Sequence, residues 1–207
     1  MILKYFLIIL LVGALFSCGK HTSMLPQDYM QHVQNPENGL HQSKDTGPFL
    51  LDVQYQPLEY VCLIQNGSSE ISKKQLTALK SEFEGLMYFK ISISSKEGVD
   101  PLLTGFTDSS QLESRILYLA GEANKDFYLL QQSDTVRCVL HHFERNYGLA
   151  PRLDIILAFE KLKTSSTTQV EQLRFCYSDR LFDLGDHQFV FNTSVFESVP
   201  SVQTTDL

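Results

Sequence analysis

Alternation of apolar and polar residues is the clearest pattern along the chain. Apolar residues recur at every second position over residues 49–55 and again over residues 87–93, which is the period of a strand with one buried face. Residues 153–159 are almost entirely apolar, as expected of a central strand that is covered on both faces. Further strands are predicted at 127–132, 135–144, 170–177 and 188–191. The second half of the chain is therefore predicted to be β-structure with short connections.

Helical signals are confined to the N-terminal half of the predicted domain. The segments Ser72-Lys73-Lys74-Gln75 and Ser110-Gln111-Leu112-Glu113 match capping boxes, in which the first and fourth residues satisfy backbone N–H groups reciprocally. Gly85 and Gly121 follow as predicted helix ends. Residues 57–65 are predicted to form a shorter helix, with a strand as the alternative. The predicted fold class is α+β, a mostly antiparallel β-sheet or sandwich with about three helices in the N-terminal half of the domain.

The first residues have the layout of a secretory signal. Lys4 supplies a positive charge, residues 5–16 are apolar apart from Gly13, and the small residue Ser17 precedes Cys18. This is the three-part pattern of a signal peptide that is removed. A retained transmembrane span is the weaker alternative, because crossing a bilayer as a helix takes roughly 20 apolar residues.

The quartet Leu15-Phe16-Ser17-Cys18 resembles the lipobox of bacterial lipoprotein precursors, although Phe16 is bulkier than the residue usual there. The resemblance implies that diacylglycerol is joined to the Cys18 thiol, that the chain is cut before Cys18, and that the new amino group is acylated. Two or more acyl chains make release from a membrane slow. Gly19 is not the Asp that marks retention in the inner membrane, so the resemblance implies the outer membrane of a Gram-negative envelope.

These patterns predict four segments: a signal peptide (1–17), the lipidated Cys18 with a polar linker (18–45), a single α+β domain (46–194) and a frayed tail (195–207). Residues 19–45 are rich in Gln, His, Asn and Ser and have little apolar periodicity beyond Tyr29, Met30 and Val33. They are predicted to form a linker with one helical turn that ends at Asn35-Pro36, because the residue before proline is disfavoured in a helix. If wholly flexible, such a linker has an end-to-end distance of roughly 25–30 Å. The domain is then expected to stand clear of the membrane surface.

Charge and cysteine content narrow the classes of partner and of chemistry. The formal net charge is −7 with the basic residues dispersed, a poor match for nucleic acid or anionic headgroups.

Cys62, Cys138 and Cys176 have apolar neighbours and are odd in number, so at least one is a free thiol or pairs between chains. Whether two of the three form a disulfide stays open.

The most suggestive cluster for a metal site is His141-His142-Phe143-Glu144. Adjacent side chains of a strand point to opposite faces, so His142 and Glu144 can share an ion, whereas His141 and His142 cannot. A zinc site needs a further ligand from elsewhere, and a polar sheet edge is the favoured interpretation. The acidic residues Asp179, Asp183 and Asp186 lack the alternate-residue spacing of a calcium loop.

Other catalytic signatures are missing from the sequence. From Cys18 onward, the predicted mature chain has no G-x-S-x-G elbow, no S-x-x-K and no phosphate-binding glycine loop, each of which supports a particular chemistry. A set of aromatic residues late in the chain is expected to form core in preference to a binding groove, because its members alternate within strands. They are Phe175, Tyr177, Phe182, Phe189, Phe191 and Phe196.

We therefore expect a membrane-anchored envelope lipoprotein whose domain binds or scaffolds another envelope protein, in preference to an enzyme, and without a cofactor. The alternative is a metal-dependent hydrolase that uses His142 and Glu144. Residues 36–40, 57–60 and 142–151 are similar to segments of lipoproteins of Bacteroidetes-type bacteria that have no assigned activity. That resemblance implies no functional residue.

Overall fold

The structure is a computed structural model that describes residues 23–105, 108–161 and 172–205. Its strands are β1 (Ser23–Met24), β2 (His41–Asp45), β3 (Phe49–Gln56), β4 (Leu86–Ser95), β5 (Phe127–Gln131), β6 (Asp134–Glu144), β7 (Arg152–Glu160), β8 (Gln172–Ser178), β9 (Asp186–Asn192) and β10 (Ser201–Val202). Eight of them form one sheet in the order β2-β3-β4-β7-β6-β5-β8-β9, in which all neighbours are antiparallel. A separate parallel pair joins β1 to β10.

Helices are present in both halves of the domain. The α-helices of the described residues are α1 (Pro26–Gln34), α2 (Leu58–Asn66), α3 (Lys73–Phe83), α4 (Ser109–Gly121) and α5 (Thr193–Glu197), with 3-10 helices at Pro36–Asn38, Pro101–Leu103 and Ala123–Asp126. The predicted α+β class with a large antiparallel sheet is confirmed. The predicted number and placement of helices differ, because α1 and α5 lie where a linker and the end of the domain were expected.

One predicted capping box is confirmed and one is wrong. At α3, the Ser72 hydroxyl accepts from the Gln75 N–H and the Gln75 side chain accepts from the Ser72 N–H. At α4, the cap is Asp108, whose carboxylate accepts from the N–H groups of Ser110 and Gln111. A carboxylate is a stronger acceptor than a hydroxyl, and its negative charge is stabilised by the positive end of the helix dipole. Asp108 therefore caps the helix, which begins at Ser109, before the predicted cap Ser110.

The sheet curls until it is nearly a barrel. Its two outermost strands approach each other, and the Lys44 ammonium of β2 lies 5.4 Å from the centre of the Phe189 ring of β9. Phe89 is fully buried in the interior, with the rings of Phe159 and Phe175 5.8 and 5.4 Å away. These spacings are those of favourable aromatic pairs. Packed rings therefore fill the middle of the curled sheet.

The strands of the sheet have two opposite ends, which we call the helical end and the turn end. At the helical end, near Gln56 and Leu86, β3 runs into α2 and β4 follows α3. Phe196 of α5 closes this end, with the centre of its ring 4.0 Å from that of Tyr55. At the turn end, β3 begins at Phe49, whose ring is 5.3 Å from that of Phe182.

A second core lies at the helical end, between the helices and the outer face of the sheet. Tyr29 and Val33 of α1 are 1 % and 0 % exposed and pack in a cluster with residues of α2, α3 and β10. The Gln54 amide on the outer face of β3 donates to the Val33 carbonyl at 3.1 Å. The prediction of a polar linker over residues 18–45 is therefore wrong for residues 23–45, which are part of the domain. The helical turn expected before Asn35-Pro36 is longer than predicted and forms α1.

The predicted frayed tail is also wrong for residues 195–205. After α5, β10 pairs with β1, and the Thr205 N–H donates to the Ile71 carbonyl at 3.0 Å. The pairing of β1 with β10 and the hydrogen bond from Thr205 therefore hold the segment around Ser23 and the C-terminal segment at the helical end. In the part of the chain that the structure describes, no helix is long and apolar enough to cross a membrane.

Candidate functional site

The most distinctive surface feature is the connection between β6 and β7, residues 145–151, which we call the β6–β7 turn. The Asn146 amide donates to the carbonyls of Ala150, at 2.9 Å, and of Arg152, and its side-chain oxygen accepts from the Gly148 N–H at 3.0 Å. One side chain thus crosslinks the turn internally. Tyr147 has a φ of 52°, a left-handed conformation that non-glycine residues adopt at a cost and that often marks functional sites.

The β6–β7 turn presents large apolar side chains to solvent. Leu149 is 90 % exposed and Tyr147 is 75 % exposed. The guanidinium carbon of Arg145 lies 4.6 Å from the centre of the Tyr147 ring, a cation–π contact that orders both side chains. Loops held by a rigid scaffold commonly carry function, and Tyr and Arg are among the residue types most enriched where interface energies concentrate. The turn can therefore serve as a protein-binding tip.

The β6–β7 turn lies at the turn end of the sheet. Ser94 pairs with Arg152 at the start of β7, and the Ser95 N–H donates to the Pro151 carbonyl at 2.9 Å. The helical end, with α2 and the segment around Ser23, is at the opposite end of the same strands. Because β4 has ten residues, the two ends are about 30 Å apart.

The structure keeps His142 and Glu144, the two residues proposed as metal ligands, on one face of β6 and directs His141 elsewhere. His142 and Glu144 lie exposed on the outer face of β6, opposite Ile156 and Asp154 of β7. The ring of His141 is directed elsewhere, with Nε2 2.9 Å from the Leu119 carbonyl at the end of α4. Among the described residues, no group of three or more His, Cys, Asp or Glu side chains is arranged to hold a metal ion.

The outer face of the sheet carries a row of polar residues that the sequence did not reveal. Asp52, Ser92 and Asp154 lie side by side on β3, β4 and β7. The Asp52 carboxylate accepts from His41 at 3.0 Å and from Ser43 at 2.6 Å. Although burial alone raises the pKa of Asp52, these hydrogen bonds outweigh it and hold the pKa below the usual value.

The chemistry of this polar row is that of stabilising pairs. The Ser92 hydroxyl donates to Asp154 at 2.5 Å, and Arg152 Nε donates to the other carboxylate oxygen at 2.8 Å. The two ring nitrogens of His41 face the Asp52 carboxylate and, at 3.2 Å, the Val33 carbonyl. The Ser-His-Asp relay that would activate a hydroxyl as a nucleophile is therefore not formed by these residues.

Asp179, one of the acidic residues near Gly185, organises a turn. The Asp179 carboxylate accepts from the Tyr177 hydroxyl at 2.6 Å and from the backbone N–H groups of Leu181, Phe182 and Leu184 at 3.1, 2.9 and 2.8 Å. Its lone pairs are thus occupied by the chain itself. This loop positions Phe182, which packs against the interior core at the turn end of the sheet.

An ion pair between the buried Asp126 and the exposed Arg180 lies next to this turn and was also not apparent from the sequence. Asp126 is 3 % exposed, lies 3.1 Å from Arg180 Nε and accepts from the Tyr118 hydroxyl at 2.6 Å. Burial raises the pKa of Asp126, although the hydrogen bond from Tyr118 and the charge of Arg180 both act to lower it. The three residues come from separate elements, so no local pattern in the sequence marks them.

The aromatic residues that were expected to form core do so. Phe175, Phe189 and Phe191 are at most 1 % exposed, and Tyr177 is 4 % exposed. Phe182 and Phe196 are partly buried and pack against the same interior cluster. These six side chains are therefore committed to the curled sheet and its two ends.

The three described cysteines are free and buried. Burial raises the pKa of the Cys138 thiol to about 11, and burial raises the thiol pKa of Cys62 and Cys176 as well. A thiol with a raised pKa is a poor nucleophile at neutral pH. Cys18, the predicted site of lipidation, lies outside the described residues.

Comparisons with known proteins give little further information. No family model matches the sequence, and no curated protein matches it. A crystal structure of a protein of unknown function from Burkholderia pseudomallei is similar to 87 % of this chain and to 95 % of its own, with a TM-score of 0.38 and 10 % sequence identity. A likeness this distant supports no argument about function.

Proposed function

We propose that the chain is a lipid-anchored lipoprotein of the bacterial cell envelope whose domain binds another envelope protein through the β6–β7 turn. The observation that carries the proposal is the placement of Tyr147 and Leu149 at the turn end, opposite the segment around Ser23 that leads to Cys18. With the lipid at one end and the exposed apolar tip at the other, the tip points away from the membrane and towards neighbouring proteins.

The chemistry of the tip supports a small, reversible interface. Tyr147 and Leu149 expose apolar surface on a backbone that Asn146 already orders, so binding costs little conformational entropy. The adjacent Arg145 offers a guanidinium suited to a carboxylate of the partner. A turn of this size covers much less than the roughly 800 Å² per partner of a standard stable interface, so the partner is one that associates transiently.

Substituting Cys18 tests the anchor. We expect Cys18→Ser to abolish incorporation of radiolabelled palmitate and to release the protein from membranes, because two or more acyl chains are what make release slow. The circular dichroism and unfolding midpoint of the domain should be unchanged. A Cys18→Ser protein that still took up palmitate and stayed with membranes after a high-salt wash would contradict the anchor.

Substituting the tip tests the binding surface. We expect the double variant Tyr147→Ser, Leu149→Ser to lose at least about tenfold in affinity for an envelope protein that is crosslinked to the wild-type chain in cells, since truncation of central interface residues costs about 2 kcal/mol. The measurement is titration of the purified partner. The matched control is Leu117→Ser on α4, a side chain that is 72 % exposed and lies outside the turn.

The control separates a specific tip from general surface hydrophobicity. If Leu117→Ser weakens binding as much as the double variant does, the β6–β7 turn is not the contact surface. If neither variant changes the affinity, the partner contacts another part of the domain.

A further inference from the structure

Two grooves lie side by side at the helical end, on either side of the start of α1. The first, with a volume of about 330 Å³, lies between Leu25, Ile71 and the segment that follows β10. The second, of about 450 Å³, lies between α1 and the end of α2 and includes Met30 and Ile64. Pro26, Gln27 and Ser69 line both grooves. We call the surface formed by the two grooves the groove face.

The rim of the groove face is apolar and exposed. Leu25 is 57 % exposed and Ile64 is 48 % exposed, and both line the grooves. Charge on and beside this face is balanced, because Asp28 and Glu70 line the first groove and the exposed residues Lys73 and Lys74 open the neighbouring helix α3. The face therefore offers hydrophobic contact without strong repulsion from either sign of headgroup charge.

Chain connectivity places this face close to Cys18. Ser23 is fixed to the helical end, because it pairs with Ser201 and because the Gln203 N–H donates to the Met24 carbonyl at 2.7 Å. Cys18 precedes Ser23 by five residues, and five residues span at most about 18 Å even when fully extended. The long linker that the sequence predicts would have freed the domain from the membrane, but that chain is folded into α1 and β2.

We infer that the groove face rests on the lipid bilayer, with Leu25 and Ile64 at the level of the headgroups. The inference rests on the proposed lipidation of Cys18 and deepens it: the anchor orients the domain as well as retaining it. An apolar side chain this close to a tethered membrane gains free energy by leaving water, and the tether supplies a high effective concentration of lipid surface. The β6–β7 turn, at the opposite end of the sheet, then faces away from the bilayer.

The absence of tryptophan from the sequence permits a direct test. The full-length chain is produced in lipidated form as two single variants, Ile64→Trp on the groove face and Leu149→Trp on the β6–β7 turn. Each is reconstituted into vesicles of phosphatidylethanolamine and phosphatidylglycerol that contain a brominated phosphatidylcholine, whose bromine atoms quench nearby indole fluorescence. Intact mass of the purified protein reports whether Cys18 carries lipid.

We expect brominated vesicles to reduce the fluorescence of the Ile64→Trp variant at least about twofold relative to matched unbrominated vesicles, because apolar groups of surface-bound elements enter the boundary of headgroups and acyl chains. The fluorescence of the Leu149→Trp variant should be the same in both vesicles. Since Ile64 packs on its neighbours through half of its surface, Leu25→Trp serves as a second probe of the same face.

The outcomes separate failure of the orientation from failure of the anchor. The inference is overturned, and the anchor is left intact, if neither the Ile64→Trp nor the Leu25→Trp variant is quenched in lipidated form, or if the Leu149→Trp variant is quenched as strongly. A protein whose mass shows no lipid on Cys18 overturns the anchor and the inference together. Quenching that is lost when a purified partner protein is added would show that the face binds protein in preference to lipid, and also overturns the inference.

Discussion

Replacement of Phe89 by alanine is expected to destabilise the domain by about 3–5 kcal/mol, the usual cost of truncating a fully buried phenylalanine. Phe89 is 0 % exposed, and its ring is 5.3 Å from Tyr55, 5.7 Å from Phe191 and 6.5 Å from Phe196. The substitution removes a ring of β4 that packs against rings of β3, β9 and α5. Since neighbouring rings are rigid, the cavity is expected to persist in part.

The measurement is equilibrium unfolding in guanidinium chloride, with the unfolding free energy extrapolated to water. Leu117→Ala is the matched control, because Leu117 is 72 % exposed and surface substitutions usually change stability by less than about 0.5 kcal/mol. A loss of less than about 1 kcal/mol for Phe89→Ala would mean that the interior relaxes around the missing ring and is less tightly packed than the ring spacings indicate.

Replacement of Val33 by aspartate is expected to cost at least about 3 kcal/mol, because it buries a carboxylate among apolar side chains with no partner for its charge. Val33 is 0 % exposed and belongs to the second core at the helical end. A domain of this kind has a total stability of about 5–15 kcal/mol. The variant should therefore unfold at a much lower denaturant concentration and expose hydrophobic surface at moderate temperature.

The same experiment decides between a folded and a flexible segment. Gln27→Asp is the control: it lies in the first turn of the same helix and is exposed, where a negative charge is favourable. A flexible linker over residues 18–45 would tolerate both substitutions equally. Equal unfolding midpoints for Val33→Asp and Gln27→Asp would thus show that α1 is not part of the cooperative unit.

The strands were predictable because alternation is a local property. The pattern over residues 87–93 follows directly from the two faces of a strand, and β4 spans Leu86–Ser95. The prediction that adjacent histidines point apart is confirmed in the same way, with His142 exposed and His141 directed at the Leu119 carbonyl. At the irregularity between Cys138 and Leu140 the alternation fails, and Val139 and Leu140 are both exposed.

Helix α1 was predicted only as one helical turn within a linker, because few of its residues are buried. Tyr29 and Val33, one turn apart, carry most of its contact with the core, and two apolar positions do not establish a period in a polar stretch. Its stability comes from tertiary packing, as for most short helices. Strand β2 is polar and lies at the edge of the sheet, so its sequence gives no sign that it pairs with β3.

The β6–β7 turn, the candidate site, was likewise only partly predictable from the sequence. Its residues fall within a segment that the sequence singles out, and Asn-Tyr-Gly has the composition of a turn. Exposure of Leu149, the cation–π contact of Arg145 and the position opposite Ser23 depend on how β6 and β7 join the rest of the sheet. The two Asp residues of the polar row, Asp52 and Asp154, are brought together across strands that are far apart in the sequence.

Periodicity, capping and short motifs are properties of neighbouring residues, and they were enough to establish the α+β class, the antiparallel strands and the start of α3, and to predict a lipid on Cys18. Membership of residues 23–45 and 195–205 in the domain emerged from the folded chain alone. The same holds for which end of the sheet lies near Cys18 and which end carries the exposed tip. These features depend on contacts between distant residues, whose energies arise only when the sheet has curled and both of its ends have closed.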